Sequence, residues 1–364
     1  MSRTFLFAGG GSGGHISPAL AIAERLVELD PSVETVFMCS TRRIDTTMLA
    51  EVNVDFTPIP GAPFSVRPRG LARFAHSWVR SRKAARAEIQ DRRIDSVVAM
   101  GGFVAAPVVS AAKRTGTPVT LINLDDPPGK ANRWIARRCD HVLSAIEITD
   151  HPRFAERVVG MPIRSNAIAS ASAQSCRATL GLDPDLPTLI VTGASQGARS
   201  INGLVAAMAA AEPDLFEGWQ VLHLTGAGDE SRARAAWDTA GVTATVHPFL
   251  HGMGAAWGAA DLAVSRAGAS SVAEAWANAV PTLFLPYPYH GDRHQHRNAA
   301  PMVATGGAVV ETDVIETDAN VALAGSTLRE LMRDRPRLQS MRAALRVRPA
   351  PDAARTIAQL LMDR

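Results

Sequence analysis

Two glycine-rich turns, each between an apolar run and a helical pattern, are the clearest places for chemistry in this sequence. The first is AGGGSGGH at residues 8–15, after the run Thr4–Ala8, and the second is GASQGAR at residues 193–199, after Thr188–Thr192. Turns of this kind place backbone N–H groups at a helix N-terminus, where they bind phosphate. Their first glycines are 184 residues apart, half of the chain. This repetition favours a phosphate-binding role for both turns over a simple tight turn.

The first turn also satisfies the G-x-G-x-x-G pattern of dinucleotide sites, with Gly9, Gly11 and Gly14. A NAD site needs an acid at the end of the second strand to hold the ribose. That strand ends here in CSTRR at residues 39–43, which contains no acid. We therefore expect no NAD site, whereas the two arginines leave NADP open.

His15 ends the first turn and begins the following helical segment. The positive end of a helix dipole disfavours imidazolium, so we expect a neutral ring that accepts a proton. His15 is therefore a candidate general base, and a surface or capping histidine is the alternative.

Ser271 and Glu274 lie in the segment RAGASSVAE, residues 266–274, with the S-x-x-E spacing of a capping box. Glu274 either reaches back to the helix N-terminus or accepts hydroxyl groups of a ribose. The spacing alone leaves both interpretations open.

The segment HGDRHQH, residues 290–296, contains three histidines, and zinc is a possible ligand. His290 and His294 are four residues apart, but no H-E-x-x-H pattern accompanies them. We favour sugar binding by Asp292 and Gln295, with solvated histidines.

Short apolar strands alternate with helical patterns along the whole chain, which is typical of a parallel sheet covered on both faces. We predict an α/β protein with two Rossmann-like domains that face each other across a cleft, with sites in the strand-to-helix loops. The domains are predicted at residues 1–163 and 164–348, and a C-terminal helix in 349–364 is expected to pack on the N-terminal domain. The predicted strands are Thr4–Ala8, Thr35–Met38, Ser96–Ala99, Pro118–Ile122, His141–Ser144, Thr188–Thr192, Gln220–Leu224, Thr243–His247, Leu262–Ser265 and Thr282–Leu285.

Composition excludes several classes of protein. The 364 residues include 28 glycines and 23 prolines, close to ordinary usage, so the chain is neither disordered nor collagen-like. Its three cysteines show no C-x-x-C spacing and fit a reducing compartment. The N-terminus lacks the features of a signal peptide, and the apolar window 97–112 is too short and too interrupted to span a bilayer. We expect a soluble or peripheral protein.

Positive charge is concentrated in residues 64–93, which hold nine basic residues against Glu88 and Asp91, whereas the whole chain has a net charge of +3. Leu71, Phe74 and Trp78 recur among these arginines at helical spacing. A basic amphipathic helix suits an anionic membrane surface, and a solvated helix with its apolar face in the core is the alternative. Nucleic acid is not expected, because no aromatic platform accompanies the charge.

Seven segments together resemble one family, and the resemblance covers essentially the whole chain. In order and spacing, the chain is similar to the MurG family of peptidoglycan N-acetylglucosaminyltransferases. The matching segments are AGGGSGGHISPALAIAERL (8–26), GGFVAAP (101–107), PGKANR (128–133), GMPIR (160–164), GASQGAR (193–199), SRAGASSVAE (265–274) and DRHQHRNA (292–299).

The resemblance implies a GT-B glycosyltransferase that uses neither a cofactor nor a metal. It implies inverting transfer of N-acetylglucosamine from UDP-GlcNAc to the 4-hydroxyl of undecaprenyl-pyrophosphoryl-MurNAc-pentapeptide, the step from lipid I to lipid II. The C-terminal domain would bind the UDP-sugar, and the N-terminal domain would bind the lipid acceptor. The enzyme would be a peripheral protein on the cytoplasmic face of the cell membrane.

The resemblance also implies roles for individual residues. His15 would be the catalytic base, and Phe103 and Asn132 would lie on the acceptor side. Arg164 and Ser195 would contact the diphosphate, Leu250 the uracil, Glu274 the ribose and Gln295 the sugar. The full set implied for UDP-GlcNAc is Ser12, Gly13, Gly14, Asp125, Arg164, Ser195, Leu250, Ser270, Ser271, Glu274 and Gln295.

The chain departs from the family pattern around the sugar and the acceptor. Asp125 stands where many members have Asn, Ile122-Asn123 replaces His-Glu, and Phe103 replaces a tyrosine. In addition, Ser270 occupies an apolar position and His294 replaces a glutamine. We expect these exchanges to affect acceptor choice more than donor class.

Other functions fit the same architecture. They are another GT-B UDP-sugar glycosyltransferase and a UDP-GlcNAc 2-epimerase. A different class is an NADP-dependent oxidoreductase or a non-catalytic nucleotide-binding regulator.

Overall fold

The chain forms two compact units in a computed structural model. The first unit comprises residues 1–164 together with 351–364, and the second comprises residues 165–350. The residues that the structure describes are 2–11, 14–62, 64, 66–148, 150–194, 197–289, 291 and 293–363.

The first unit contains, in its described residues, a six-stranded sheet in the order β3-β2-β1-β4-β5-β6. All neighbouring strands are parallel. The strands are β1 (Thr4–Ala8), β2 (Glu34–Ser40), β3 (Asp55–Ile59), β4 (Ser96–Ala99), β5 (Val119–Asn123) and β6 (His141–Ser144). Since parallel strands end at one edge, the loops after β1, β4 and β5 meet at the carboxyl edge of this sheet.

Helices connect these strands and cover both faces of the sheet. They are α1 (Ile16–Leu29), α2 (Arg43–Glu51), α3 (Pro68–Asp91), α4 (Gly102–Thr115), α5 (Lys130–Ala136) and α6 (Pro152–Ala155). The strand β1 is entirely buried, and α1 buries Ile16, Leu20 and Leu26 beside it. By contrast, α3 buries mainly small residues, such as Ser77, Ser81 and Ala85. Of its larger side chains, Ile89 is buried and Trp78 packs partly buried against the core, whereas Leu71 and Val79 are exposed.

The second unit repeats this plan. Its described residues contain a parallel six-stranded sheet in the order β12-β11-β10-β7-β8-β9. The strands are β7 (Thr188–Thr192), β8 (Gln220–Leu224), β9 (Ala244–His247), β10 (Ala260–Ser265), β11 (Thr282–Phe284) and β12 (Ala308–Val310).

Nine further α-helices in the described residues belong to the second unit, and the last helix of the chain belongs to the first. The former are α7 (Ala173–Thr179), α8 (Arg199–Ala211), α9 (Glu230–Ala240), α10 (Gly254–Ala259), α11 (Ala269–Ala277), α12 (His294–Ala304), α13 (Thr317–Ala322), α14 (Ala324–Arg333) and α15 (Arg335–Val347). The last is α16 (Ala353–Met362). Its Ile357 and Leu361 pack in one core with Phe5 and Phe7 of β1.

The prediction of an α/β protein with two Rossmann-like domains is confirmed, and all ten predicted strands are present. Two strands, β3 and β12, were not predicted. The strand β3 contains Pro58, which argues against a central strand but is tolerated at the edge position that β3 occupies. The strand β12 is a second edge strand of only three residues, too short to give a pattern.

Within the part of the chain that the structure describes, no helix combines the length and the apolar character needed to cross a membrane.

Candidate functional site

A buried carboxylate closes the first glycine-rich turn. Asp45, in the first turn of α2, is fully buried and accepts hydrogen bonds from the Gly11 amide at 2.6 Å and the Ser40 hydroxyl at 2.5 Å. Gly10 has a φ of +139°, and a β-carbon there would collide with the Asp45 carboxylate. The turn is therefore built around an internal negative charge, which disfavours a phosphate at the same place.

Arg42 and Phe103 lie on the same turn. Arg42 donates a hydrogen bond through Nη1 to the Gly11 carbonyl, and its guanidinium lies 6.0 Å from the centre of the Phe103 ring. A β-carbon at Gly11 would lie 3.5 Å from this ring. Arg42, one of the two arginines that left an NADP site open, thus contacts the protein's own loop.

His15 is the N-cap residue of α1 and lies beside Asp125 in the loop after β5. Nε2 of His15 is 3.9 Å from Oδ2 of Asp125, and the exposed fractions of the two side chains are 15% and 58%. Nδ1 of His15 is buried and has no hydrogen-bond partner among the described residues. A half-exposed carboxylate beside an imidazole is an arrangement suited to proton transfer.

An amide relay fixes the surroundings of His15. The Gly102 amide donates to Oδ1 of Asn132 at 3.1 Å, Asn132 donates to Oδ1 of Asn123 at 2.8 Å, and Asn123 donates to the Asp125 carbonyl at 2.8 Å. A β-carbon at Gly102 would lie only 3.5 Å from Cε1 of His15. Asn132, expected on the acceptor side, is thus buried beneath the loop that holds Asp125.

Arg164 belongs to the first unit, at its boundary with the second. Its Nε donates to Oε1 of Glu24 on α1 at 2.8 Å, and its side chain is 19% exposed. The guanidinium is therefore held by a carboxylate of its own unit.

The second glycine-rich turn leads directly into α8. A β-carbon at Gly193 would collide with the Ala198 amide, and Gly197, with a φ of +72°, lies against the Thr225 carbonyl. The N-cap of α8 is Ala198, so the turn ends where the positive end of the helix dipole begins.

A buried polar cluster supports this turn from below. Asn202 of α8 donates through Nδ2 to the Thr225 carbonyl at 3.0 Å and to Asp229 at 2.9 Å. His223 contacts Oδ1 of Asn202 through Nε2 and accepts the indole N–H of Trp237 at Nδ1, each at 3.0 Å. Burial lowers the pKa of His223 to about 4, so the ring is neutral at physiological pH.

Glu274 lies in α11 and accepts the indole N–H of Trp257 at Oε2, at 2.9 Å. Burial raises the pKa of Glu274 to about 7, against the opposing effect of this hydrogen bond. The N-cap of α11 is Gly268, and no described side chain caps this helix. The capping-box interpretation of Ser271 and Glu274 is therefore wrong, because the N-cap of the helix is Gly268, three residues before Ser271.

The other predicted donor residues of the second unit lie in loops and first helical turns. Ser270 and Ser271 are partly exposed in the first turn of α11, and Leu250 follows β9 and packs on the core. Gln295, in the first turn of α12, accepts the Tyr287 amide at Oε1, at 2.8 Å. Gly14 is exposed, whereas Ser12, Gly13, Ser195, His290 and Asp292 lie outside the described residues.

Arg266 and Asp313 are not among the site residues predicted from the sequence. Both are buried at the carboxyl edge of the second sheet, where Nη1 of Arg266 lies 2.5 Å from Oδ2 of Asp313. A signal for Arg266 was present, since an arginine between a buried strand and a glycine turn is unusual. Asp313 follows the edge strand β12, which was not predicted. Asp45 lies two residues after the segment CSTRR, where an acid was looked for and not found.

No group of three or more His, Cys, Asp or Glu side chains suited to a metal ion occurs among the residues that the structure describes.

Family models match both units. The glycosyltransferase family 28 N-terminal domain matches residues 5–144, and the family 28 C-terminal domain matches residues 188–357. A relative from Nocardioides sp. is 36% identical over 98% of this chain and 97% of its own length. It is named UDP-N-acetylglucosamine–N-acetylmuramyl-(pentapeptide) pyrophosphoryl-undecaprenol N-acetylglucosamine transferase.

Solved structures show the same fold. The crystal structure of Acinetobacter baumannii MurG covers 100% of both chains with a TM-score of 0.75 and 24% identity. A UDP-N-acetylglucosamine 2-epimerase covers 100% of this chain and 96% of its own with a TM-score of 0.63 and 13% identity. The fold alone therefore does not separate these activities, but the sequence match does separate the families: the chain belongs to glycosyltransferase family 28.

Proposed function

We propose that this chain transfers N-acetylglucosamine from UDP-GlcNAc to the 4-hydroxyl of undecaprenyl-pyrophosphoryl-MurNAc-pentapeptide, with inversion at the anomeric carbon. The observation that supports this most directly is the similarity to the Nocardioides transferase along nearly the full length of both chains. The name of this relative gives the donor, the acceptor and the transferred sugar, whereas the 4-hydroxyl and the inversion come from the family resemblance.

The two units divide the reaction. The second unit binds UDP-GlcNAc, with the diphosphate at the turn 193–197 and the N-terminus of α8, the ribose at Glu274 and the sugar at Gln295. The leaving UDP gains charge on its β-phosphate, which the dipole of α8 stabilises. Arg164, which the family resemblance assigns to the diphosphate, would have to exchange its contact with Glu24 for the phosphate.

The geometry of the first unit argues against an NADP-dependent oxidoreductase. A phosphate in its glycine-rich turn would meet the buried carboxylate of Asp45, and the Gly11 amide already donates to that carboxylate. Moreover, Arg42 donates to the Gly11 carbonyl and is not free for a 2′-phosphate. The turn instead holds His15 in place.

The transfer is tested by mixing the protein with UDP-GlcNAc and a short-chain lipid I analogue. We expect UDP and a disaccharide-linked lipid in equal amounts, and neither without the acceptor. Formation of a 2-epimer of UDP-GlcNAc in the absence of acceptor, or a change in NADPH fluorescence on mixing, would contradict the proposal.

His15 is the base in this mechanism. The attacking 4-hydroxyl loses its proton to the imidazole as the new glycosidic bond forms. The carboxylate of Asp125, 3.9 Å from Nε2, stabilises the imidazolium that results. The amide relay through Asn123 and Asn132 holds Asp125 at this position.

His15→Ala is expected to lower kcat by about 10²- to 10⁴-fold while the affinity for UDP changes little, because His15 is proposed to act on the acceptor hydroxyl and not to contact UDP. Steady-state kinetics and calorimetric UDP binding measure the two quantities. The matched control is His141→Ala, an exposed histidine at the amino end of β6. A variant that keeps more than half of the wild-type kcat would leave His15 a structural residue.

Glu274 is the proposed ribose ligand, and its titration gives this role a pH signature. In the free protein the carboxyl group is protonated below its pKa of about 7, which burial has raised. Only the carboxylate accepts hydrogen bonds from both ribose hydroxyls. UDP binding therefore favours the ionised form and becomes tighter as the pH rises through 7.

We expect wild-type affinity for UDP to rise between pH 6 and pH 8, and Glu274→Gln to bind about tenfold more weakly at pH 8 with a flat profile. The Gln side chain still accepts the Trp257 indole N–H. Because the pKa of Glu274 is about 7 in the folded protein and 4.5 in the unfolded chain, wild type should lose stability relative to the variant between pH 4.5 and pH 7 and no further above that range. Asp238→Asn, on the exposed face of α9, is the control. Identical pH profiles for wild type and Glu274→Gln would exclude Glu274 from the nucleotide site.

The segment before α3 and its first turns form the proposed membrane surface. Phe64, Val66 and Leu71 are 67%, 83% and 45% exposed, respectively. Phe74 and Trp78 are only partly buried and connect Phe64 to Trp134 through ring contacts of 5.4 to 5.7 Å. Exposed apolar groups beside a continuous aromatic row suit the headgroup region of a bilayer.

Basic residues surround this apolar surface. Arg69, Arg73 and Arg80 are exposed on α3. Trp134 also lines a cavity of about 510 Å³, together with the basic residues Lys113, Arg114, Arg137 and Arg138. Each basic group near an anionic surface contributes about 1 kcal/mol, so the surface favours an anionic leaflet, where the lipid acceptor is anchored.

Co-sedimentation with vesicles tests this surface. Wild type should bind vesicles that contain anionic lipid, bind less in high salt, and lose binding when Arg69, Arg73 and Arg80 become Glu. The control carries the same charge change on the second unit, at the exposed residues Arg333, Arg346 and Arg348, and should bind as wild type does. Equal sedimentation of wild type and the α3 variant would refute the docking surface.

A further inference from the structure

Asp313 is a fully buried carboxylate between four groups of the second unit. Its Oδ2 accepts the Ser200 hydroxyl at 2.6 Å and Nη1 of Arg266 at 2.5 Å. Its Oδ1 accepts Nδ2 of Asn320 and the Ile315 amide, each at 2.8 Å. Burial opposes ionisation, but the hydrogen bonds from Ser200, Asn320 and Ile315, with the charge of Arg266, hold the pKa of Asp313 below its usual value.

Through Arg266, this carboxylate is connected to two loops of the carboxyl edge. Arg266 donates to the Ser200 hydroxyl at 2.8 Å, and Ser200 is the second residue of α8. It also donates to the Leu285 carbonyl at 2.8 Å, and its guanidinium lies 5.5 Å from the centre of the Tyr287 ring. The Tyr287 amide in turn donates to Gln295. One guanidinium therefore joins the first turn of α8 to the segment 285–295.

A buried arginine can hold two loops only if its own charge is compensated. Without a carboxylate partner, the Arg266 side chain would pay a large desolvation penalty, and the guanidinium would turn toward water. The Ser200 hydroxyl and the Leu285 carbonyl would then lose a donor together. The position of both loops thus depends on Asp313, although Asp313 lies behind them.

We propose that Asp313 is a positioning residue for donor binding. It acts through Arg266 to hold the first turn of α8 together with Leu285, Tyr287 and Gln295 in the arrangement that the diphosphate and the sugar require. This rests on the proposed function only in assigning UDP-GlcNAc to the second unit. Asp313 itself does not contact the donor.

The chain offers a matched control at the opposite edge of the same sheet. Arg177 and Asp261 form a pair of 2.7 Å, with Arg177 buried. Arg177 donates to the Ala259 carbonyl and Asp261 accepts the Thr188 amide, at the amino ends of β10 and β7. This pair stabilises the same unit but touches no loop of the carboxyl edge.

The test compares Asp313→Asn with Asp261→Asn in the full-length protein. Urea unfolding should show that both variants lose stability, since each leaves a buried arginine without its charged partner. Calorimetry with UDP should show a dissociation constant raised about tenfold or more for Asp313→Asn and unchanged for Asp261→Asn. In the transfer assay, Asp313→Asn should raise the KM for UDP-GlcNAc and leave the KM for the acceptor unchanged.

Equal UDP affinity for both variants and the wild type would overturn the inference and leave Asp313 a purely structural residue. If Asp313→Asn does not fold, Asn320→Ser decides, because it removes one hydrogen bond of Asp313 and no contact of Arg266. We expect a dissociation constant raised about threefold for Asn320→Ser, and an unchanged constant overturns the inference. Failure of the wild type to bind UDP would instead refute the proposed function, so the two failures are distinguishable.

Discussion

Each unit is organised at the carboxyl edge of its sheet by one fully buried carboxylate. Burying a charge costs several kcal/mol unless donors surround it, so Asp45 and Asp313 each draw donors from separate parts of the chain. Asp45 binds the Gly11 amide and the Ser40 hydroxyl, and Asp313 binds Ser200, Arg266, Asn320 and Ile315. Loss of one donor would leave a buried carboxylate only partly hydrogen-bonded, which destabilises the fold. The loops that contain these donors are therefore held together.

The same local pattern of strand, glycine turn and helix serves opposite purposes in the two units because the charges around it differ. In the first unit the Asp45 carboxylate of α2 accepts the Gly11 amide, and Arg42 donates to the Gly11 carbonyl, so these groups of the turn are already bound by the protein. In the second unit Arg266 compensates the carboxylate, and the pair leaves the dipole of α8 unopposed at the turn 193–197. This difference is why the diphosphate is proposed at the second turn and not at the first.

Periodicity and apolar runs were enough to predict ten strands, because buried parallel strands are continuous apolar segments whose signal is local. The edge strands β3 and β12 were not predicted. An edge strand can contain a proline, as β3 does at Pro58, and β12 has only three residues. Side-chain partners escaped for a different reason. Asp45 is 34 residues from Gly11, and Asp313 is 47 residues from Arg266, and spacing along the chain contains no information about pairs that only the sheet order brings together. The capping-box prediction was wrong for a related reason. The helix begins earlier than the motif implies, and Glu274 accepts the indole N–H of Trp257, which is 17 residues away.

A fold shared with a UDP-N-acetylglucosamine 2-epimerase leaves the choice of reaction to side chains. The exchanges that distinguish this chain lie mostly around His15, where Asn123 and Phe103 occupy positions that differ from the family pattern. Asn123 does not leave a gap: it joins Asn132 to the Asp125 backbone, and the relay ends at Gly102 against the imidazole. Because amides bear no net charge, this relay fixes the loop without adding a charge beside His15. The negative charge beside His15 comes from Asp125, which stands where many family members have Asn. Asn123 binds the Asp125 carbonyl, so these two departures from the family pattern belong to one arrangement.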